Sequence, residues 1–360
     1  MYVGKSTDYV LSFQVKGVPF LMSDLFARGY DGVDVLDTWK DGVWSEYFPV
    51  EACKRYGEAG LILFGDTIKF QDHIQRLERV QVDCEQQAQR LLNNSAFPRT
   101  DLSRLLEAWL DFLRLYFCIG IEYTELAAQQ RDNPVISANL EKLQELKNPV
   151  REYLNQSCIN EDSHLSTILK IFEKRFHVTV EELWQYTLAE LLDVFEQKRV
   201  TPETIAARAN AAIIQVEHGV LHYAWGKEAL DVLKTFEKMD IDERTALSGN
   251  VANKHSTVVR GLVAIINVDY QDFAGMNAKM TTMPQGAILI AQTTAPELML
   301  ACKKAAAIVT DLGGLMSHAA IISRELNIPC IVGTRCATKT FKDGDLVEVD
   351  TQAGIIRRVI

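Results

Sequence analysis

The stretch from Ala306 to Gly333 constrains this chain more than any other. It reads as strand, glycine turn, helix and strand, with a histidine where the helix opens. Ala306 to Val309 is an apolar, strand-like run, Gly313 and Gly314 permit backbone angles that other residues resist, and Ser317 is a natural helix N-cap. His318 is then the first helical residue. A helix N-terminus presents unpaired backbone N–H groups and a partial positive charge, which together favour a bound phosphate. Imidazole is largely neutral at pH 7 and nucleophilic, and the small Ala319 and Ala320 leave a bulky phosphate donor room to approach. Spacing alone leaves a second option open, a capping or buried histidine without chemistry.

These residues resemble the phosphohistidine swivelling domain of the phosphoenolpyruvate-utilising enzymes, the family of pyruvate phosphate dikinase, phosphoenolpyruvate synthase and the rifampicin phosphotransferases. That signature is a Gly-Gly turn, two further residues, Ser or similar, His, small residues and Arg-Glu-Leu-x-Ile-Pro. It is met at Gly313, Gly314, Ser317, His318, Ala319, Ala320, Arg324, Glu325, Leu326, Ile328, Pro329 and Gly333. The resemblance implies that His318 carries the phosphoryl group. Met316 departs from the pattern: many members have Thr or Asn there, able to hydrogen-bond the phosphate or serve as a regulatory site, and methionine can do neither. The likeness extends through Leu247-Ser248-Gly249, the strand Gly286 to Ala291 and the closing strand Asp343 to Asp350, so that residues 241–360 are expected to form one β/β/α swivelling domain. Tyr186 to Glu237, with Thr187-Leu188, Glu190-Leu191, Arg208 and Gly226-Lys227-Glu228-Ala229, looks more faintly like the segment that precedes this domain in synthase-like and rifampicin-phosphotransferase-like members.

With 360 residues, 48% hydrophobic and 24% charged, the chain has the make-up of two or three ordinary globular domains. A net charge of -10 without a strong basic run argues against nucleic acid as a partner. Cysteines at 53, 84, 118, 158, 302, 330 and 336 are scattered singly, without CxxC pairs or metal-ligand spacing, as in a protein with reduced thiols. Met1 to Asp8 lacks a signal-peptide pattern, and no apolar run approaches the ~20 residues that span a bilayer. A cytoplasmic location without membrane partners is the expectation.

Taken in order, Tyr9 to Phe20 alternates like a strand. Asp37 to Trp44 reads as a hairpin around Asp41-Gly42, its two tryptophans better suited to packing than to stacking on a ligand. A helix is expected over 66–93, with Ile68, His73 or Ile74, Leu77, Val80, Cys84, Ala88 and Leu91 on its apolar face, and a buried one over 101–119. Further helices follow at 137–156, 163–175, 179–197 and 202–209, the third opened by a Thr179/Glu182 capping box and the fourth by Thr201-Pro202. A hairpin over 211–223, a helix over 227–238 and an acidic linker from Met239 to Arg244 complete a mainly α-helical domain, 1–240. Beyond it, Val258 to Val268 and Gly286 to Ala291 read as strands, Glu297 to Ala305 as a helix, and Leu346 to Asp350 with Ile355 to Val359 as a closing hairpin. Gly219 separates His218 from His222, which speaks against a metal pair, and His73, His164, His177 and His255 stand alone, as surface or capping histidines do.

Phosphoryl transfer through histidine needs a donor site, a carrier and an acceptor site. The sequence has no Gly-x-x-x-x-Gly-Lys-Ser/Thr loop, and neither the nucleotide-grasp domain of the relatives nor the strand-helix alternation of a phosphoenolpyruvate-binding barrel has a place in it. Mg²⁺ with ATP, or phosphoenolpyruvate, is therefore expected on a partner, with no cofactor or metal on this chain. In rifampicin-phosphotransferase-like relatives a helical domain in the position of residues 1–240 binds the acceptor. The leading expectation is a phosphotransferase component in which His318 moves a phosphoryl group from a separate donor protein to an unidentified acceptor. Gly313, Gly314, Ser317 and Ala319 would shape the phosphate cradle. Thr293, Thr294 and Thr310, at strand ends on the same side, could add hydroxyls or merely cap. Arg324 lies six residues along the helix and points away from His318, a better position for an ion pair with a neighbour than for a phosphate ligand. The alternatives are a non-catalytic regulatory or interaction protein that kept the fold, and a phosphocarrier whose acceptor is another protein.

Overall fold

The computed structural model describes residues 9–30, 33–236, 246–269, 272–315 and 317–359. The linker Met239 to Arg244, the first eight residues and Met316 lie outside the described residues. The chain divides into two compact units, Met1–Lys238 and Met239–Ile360. Among the described residues no helix is long and apolar enough to cross a membrane.

The N-terminal unit is mainly helical and is built on a five-stranded antiparallel sheet. Its strands are β1 (Tyr9–Lys16), β2 (Val35–Lys40), β3 (Val43–Pro49), β4 (Ala211–Glu217) and β5 (Val220–Trp225), in the order β1-β3-β2-β4-β5. The hairpins expected at either end of the helical region are thus one sheet, joined from Val35 opposite Val216 to Lys40 opposite Ala211. In the first hairpin Asp41 and Gly42 both take positive φ, 53° and 73°, as a two-residue turn of right-handed twist requires. Trp39 pairs with Trp44 across it and both are buried, which is a packing role. The first strand stops at Lys16 rather than Phe20, because Gly17 takes φ +88° and Pro19 becomes the N-cap of a helix, Phe20–Gly29, buried on nearly every side.

Between the hairpins run the helices Val50–Phe64, Thr67–Asn93, Arg99–Phe117, Ile121–Ala128, Pro134–Leu154 and His164–Phe176. Asp66 caps the second by accepting from the N–H groups of Ile68 and Lys69. That places Ile68 in the exposed first turn, 79% accessible, and Phe70 inside at 2%, so the apolar face starts at Phe70 and not at Ile68. The single helix expected over 179–197 is two short ones, Val180–Leu183 and Leu188–Asp193. Each has its own capping box, Thr179 with Glu182 and Thr187 with Glu190, and the second box restarts the helix where the first had ended.

The C-terminal unit is a mixed sheet of β6 (Ala246–Ser248), β7 (Asn250–Asn253), β8 (Val259–Ile265), β9 (Ile288–Ala291), β10 (Ala307–Thr310), β11 (Cys330–Val332), β12 (Leu346–Asp350) and β13 (Ile355–Arg358). Their order is β6-β13-β12-β8-β9-β10-β11-β7, with β8 to β11 parallel and the flanking pairs antiparallel. β9, β10 and β11 are buried throughout, as continuous apolar runs in parallel strands usually are. Alternation sends Leu289, Ala291 and Ile308 to a core shared with Ala319 and Ile322 of the helix His318–Glu325. Ile288, Ile290 and Val309 go to the opposite face, against Val347, Val349 and Phe341. The helix expected from Glu297 begins as a 3₁₀ turn, Pro296–Leu298, and continues as Met299–Lys304.

Candidate functional site

Because β9 and β10 run parallel in register, Ile288 beside Ala307 through Ala291 beside Thr310, the loops leaving their C-terminal ends emerge side by side. Such ends are where open α/β sheets bind ligands. The Asp311 and Leu312 N–H groups donate to the carbonyls of Ala291 and Gln292 at 3.0 and 2.8 Å and stitch the two loops together. Gly313 sits at φ +100°, and a Cβ there would lie 2.9 Å from Ser317 Cβ, so the turn needs glycine for its angle and for its room. The Gly314 carbonyl accepts the Ser317 N–H at 3.0 Å. Ser317 Oγ then accepts the Ala320 N–H at 3.4 Å, capping the helix that His318 opens.

Thr294 is 4% exposed, and its Oγ1 lies 2.9 Å from His318 Nδ1. The other ring nitrogen, Nε2, has no hydrogen-bond partner among the described residues. Burial lowers the pKa of His318, and the charges of Glu297 and Glu325 only partly restore it, so the ring is neutral at physiological pH. Of the three threonines expected near the turn, only Thr294 touches the histidine. Thr310 is fully buried and spends its hydroxyl on the Leu312 carbonyl at 2.7 Å, and Thr293 is half-buried without a hydrogen bond among the described residues. Ala319 turns its methyl into the core. Arg324 reaches back along the helix: Nε donates to the Ala320 carbonyl at 2.8 Å and Nη2 donates to the Leu315 carbonyl. It braces the turn through main-chain contacts.

Residues 283–354 match the family model of the PEP-utilising enzyme mobile domain. The chain contains that domain. A probable phosphoenolpyruvate synthase of Archaeoglobus fulgidus is 50% identical over 78 residues, which are 22% of this chain and 10% of that protein. The phosphoenolpyruvate synthase of Pyrococcus furiosus is 49% identical over 83 residues, 23% of this chain and 10% of its own length. The phosphoenolpyruvate synthase of Aeropyrum pernix is 50% identical over 74 residues, 21% of this chain and 9% of its own. The match thus spans about a tenth of these relatives, and the residues matched by the family model lie within the C-terminal unit.

Two residues of the mobile domain that sequence reasoning passed over support this geometry. Asp311, 4% exposed, accepts from the Thr338 N–H at 3.1 Å, from the Thr338 hydroxyl and from Thr334 Oγ1 at 3.4 Å. Burial raises its pKa against those donors. It fastens the glycine turn to the loop after β11, a partnership with no local signal, since an aspartate before Gly-Gly looks like any turn residue. Glu297 follows Thr294 by three positions, and its Oε2 is buried without a hydrogen bond.

Proposed function

We propose that this protein is the histidine-bearing component of a phosphotransferase. His318 takes a phosphoryl group from a separate nucleotide-binding or phosphoenolpyruvate-binding partner and passes it to an acceptor. The observation that carries this reading is the 2.9 Å contact between Thr294 Oγ1 and His318 Nδ1 at the start of a helix. With Thr294 accepting, the proton stays on Nδ1 and the lone pair on Nε2 meets the donor. As Nε2 attacks phosphorus, the N–P bond forms and the P–O bond to the leaving oxygen breaks, its electron pair departing with that oxygen. The ring is left cationic, with the Nδ1 proton held by Thr294, so phosphorus remains a good target. An acceptor oxygen attacks, the N–P electron pair returns to Nε2, and the acceptor proton goes to solvent. Backbone N–H groups at the helix start, with Ser317 and the Gly313-Gly314 turn, counter the charge on the phosphoryl oxygens.

Mg²⁺ bound with the donor would neutralise charge on the departing group. The described residues of this chain offer no cluster of three or more His, Cys, Asp or Glu side chains to hold it, and the proposal assigns it to the partner. An acceptor site on the N-terminal unit is supported by a cleft of about 520 Å³ between the helices Thr67–Asn93 and Arg99–Phe117. Arg76, Arg79, Asp83, Asp111 and Arg114 line it beside Val80 and Leu115, with Arg114 paired to Asp111 at 2.7 Å, a size and a mixed charge suited to a small polar molecule.

The test is incubation with a candidate nucleotide-grasp protein, labelled ATP and Mg²⁺, and separately with phosphoenolpyruvate and its general phosphotransferase enzyme. An acid-labile, alkali-stable phosphoryl label that is lost in His318→Ala is the expected result. No label from any donor, with the protein folded, would overturn the reading.

A further inference from the structure

Four polar atoms with no part in the His318 site converge inside the N-terminal unit: both carboxyl oxygens of Asp37, Ser23 Oγ and Trp39 Nε1, all buried without a hydrogen bond. Asp37 stands opposite Glu46 and Trp39 opposite Trp44 on the β2–β3 hairpin. Residues two apart on a strand share a face, so these four side chains project to one side. There Asp37, Trp39 and Trp44 meet a small void of about 10 Å³, which Ser23, Phe20 and Ile214 also line. That is about the space one water molecule needs.

A carboxylate buried without a paired cation is strongly disfavoured, and Asp37 is only 2% exposed. Glu46 is buried opposite it on the neighbouring strand, and two buried carboxylates on one face do not readily both stay charged. Of the pair, Glu46 has the support, since the Tyr30 hydroxyl donates to its Oε1 at 2.9 Å. Among the described residues no cation lines the void: the helix Phe20–Gly29 brings Phe20 and Ser23, β4 brings Ala212 and Ile214, and the hairpin brings Thr38 and the two indoles. Asp24 and Arg28 of that helix are engaged with each other and with Tyr223. Burial accordingly pushes the Asp37 carboxyl well above the usual range, with the Trp44 indole acting in the opposite direction.

We propose that this void binds a single water molecule and that Asp37 is folded into it as the neutral acid. The acid, the Ser23 hydroxyl and the Trp39 N–H give the water three partners, the usual number for a buried one. Folding of the N-terminal unit then takes up a proton between about pH 4, above which a free aspartate is ionised, and the raised value of the folded carboxyl.

The chain's tryptophans, residues 39, 44, 109, 184 and 225, all belong to this unit, so tryptophan fluorescence of the full chain follows its unfolding alone. Asp37→Asn keeps the shape and removes the charge. The variant is expected to unfold at least about 2 °C above wild type at pH 8, with the advantage shrinking toward pH 5. Identical pH profiles, or a more stable wild type at pH 8, would overturn the neutral acid. Should Asp37→Asn not fold, the infrared spectrum of wild type decides: a protonated-carboxyl C=O band at pH 7 supports the proposal and its absence overturns it. A high-resolution crystal structure tests the water, since density within hydrogen-bond distance of Asp37 and Ser23 is expected and an empty void overturns that half.

Discussion

Thr294 holds the His318 ring through Nδ1 while the helix start fixes the backbone beneath it, so the imidazole has one orientation to present, and the proposed transfer takes Thr294 as the acceptor. Thr294→Val keeps the shape and deletes the acceptor. It should slow phosphorylation of His318 about ten-fold or more, the effect of about 1–3 kcal/mol lost from one buried partner, whereas Thr294→Ser should recover most of the rate. Phosphohistidine formation with a fixed donor, followed by rapid quench, is the measurement, and equal rates for Val and threonine would deny the hydroxyl its role. The pH dependence follows from the same ring. Burial depresses the His318 pKa and the Glu297 and Glu325 charges oppose that, so the neutral nucleophile persists below the ordinary histidine value of about 6.5. The rate should therefore stay flat as pH falls through 6.5 and decline only at lower pH. Glu297→Gln removes one raising charge and should move that acid limb lower still. A limb at or above 6.5 in wild type, or an upward move in the variant, would contradict the assignment.

At the scale of elements, what the sequence revealed and what it hid divide along contact distance. The glycine turn, the Ser317 cap and the His318 helix start were legible because each depends on neighbours within a few positions. The five-stranded sheet was not, since β2 and β4 are separated by the whole helical region and their pairing leaves no local period. The three threonines lie between these cases: all sit at strand ends, but only the register of β9 against β10 decides that Thr294 meets the histidine while Thr310 closes the turn beneath it. The turn itself yields a comparison between two glycines of similar angle. Gly313 has φ +100°, and a methyl group added to it would lie 2.9 Å from Ser317 Cβ, whereas Gly286 has φ +81° with nothing within 4 Å of that position. Gly286→Ala should lose only the backbone strain, about 1–3 kcal/mol, and keep labelling at His318. Gly313→Ala should lose the strain and also push Ser317 off its cap, so that labelling falls as well as stability. Equal labelling of the two variants would show that the turn tolerates the shift.

Across the whole molecule, each unit carries its own buried core, and the faint upstream resemblance around Thr187, Glu190 and Arg208 acquires a structural meaning. Arg208 is 1% exposed and grips Glu190 through two hydrogen bonds of 2.7 and 3.0 Å. It also donates to the Gln185 carbonyl at 2.8 Å and lies 4.9 and 4.4 Å over the Phe20 and Trp225 rings. One side chain thus ties a short helix, the buried Phe20–Gly29 helix and the last strand of the sheet into a single body. Removing one partner of a buried pair strands the other, so Arg208→Ala should cost the N-terminal unit about 3–5 kcal/mol. Replacing both Arg208 and Glu190 with methionine should recover much of that loss, because no charge is then left alone. Burial would raise the Glu190 pKa, but the Arg208 hydrogen bonds and the Thr187 N–H hold it low. The pair's contribution is therefore present above about pH 4.3 and lost as pH falls through the lower folded value, an acid sensitivity that the double variant should lack. Urea unfolding followed by tryptophan fluorescence reads this unit, while labelling of His318 in the same samples reads the mobile domain, whose residues include no tryptophan. Arg208→Ala should shift the first signal and spare the second at urea concentrations below the mobile domain's own transition. Joint loss of both signals at one urea concentration would mean that the two units unfold as one.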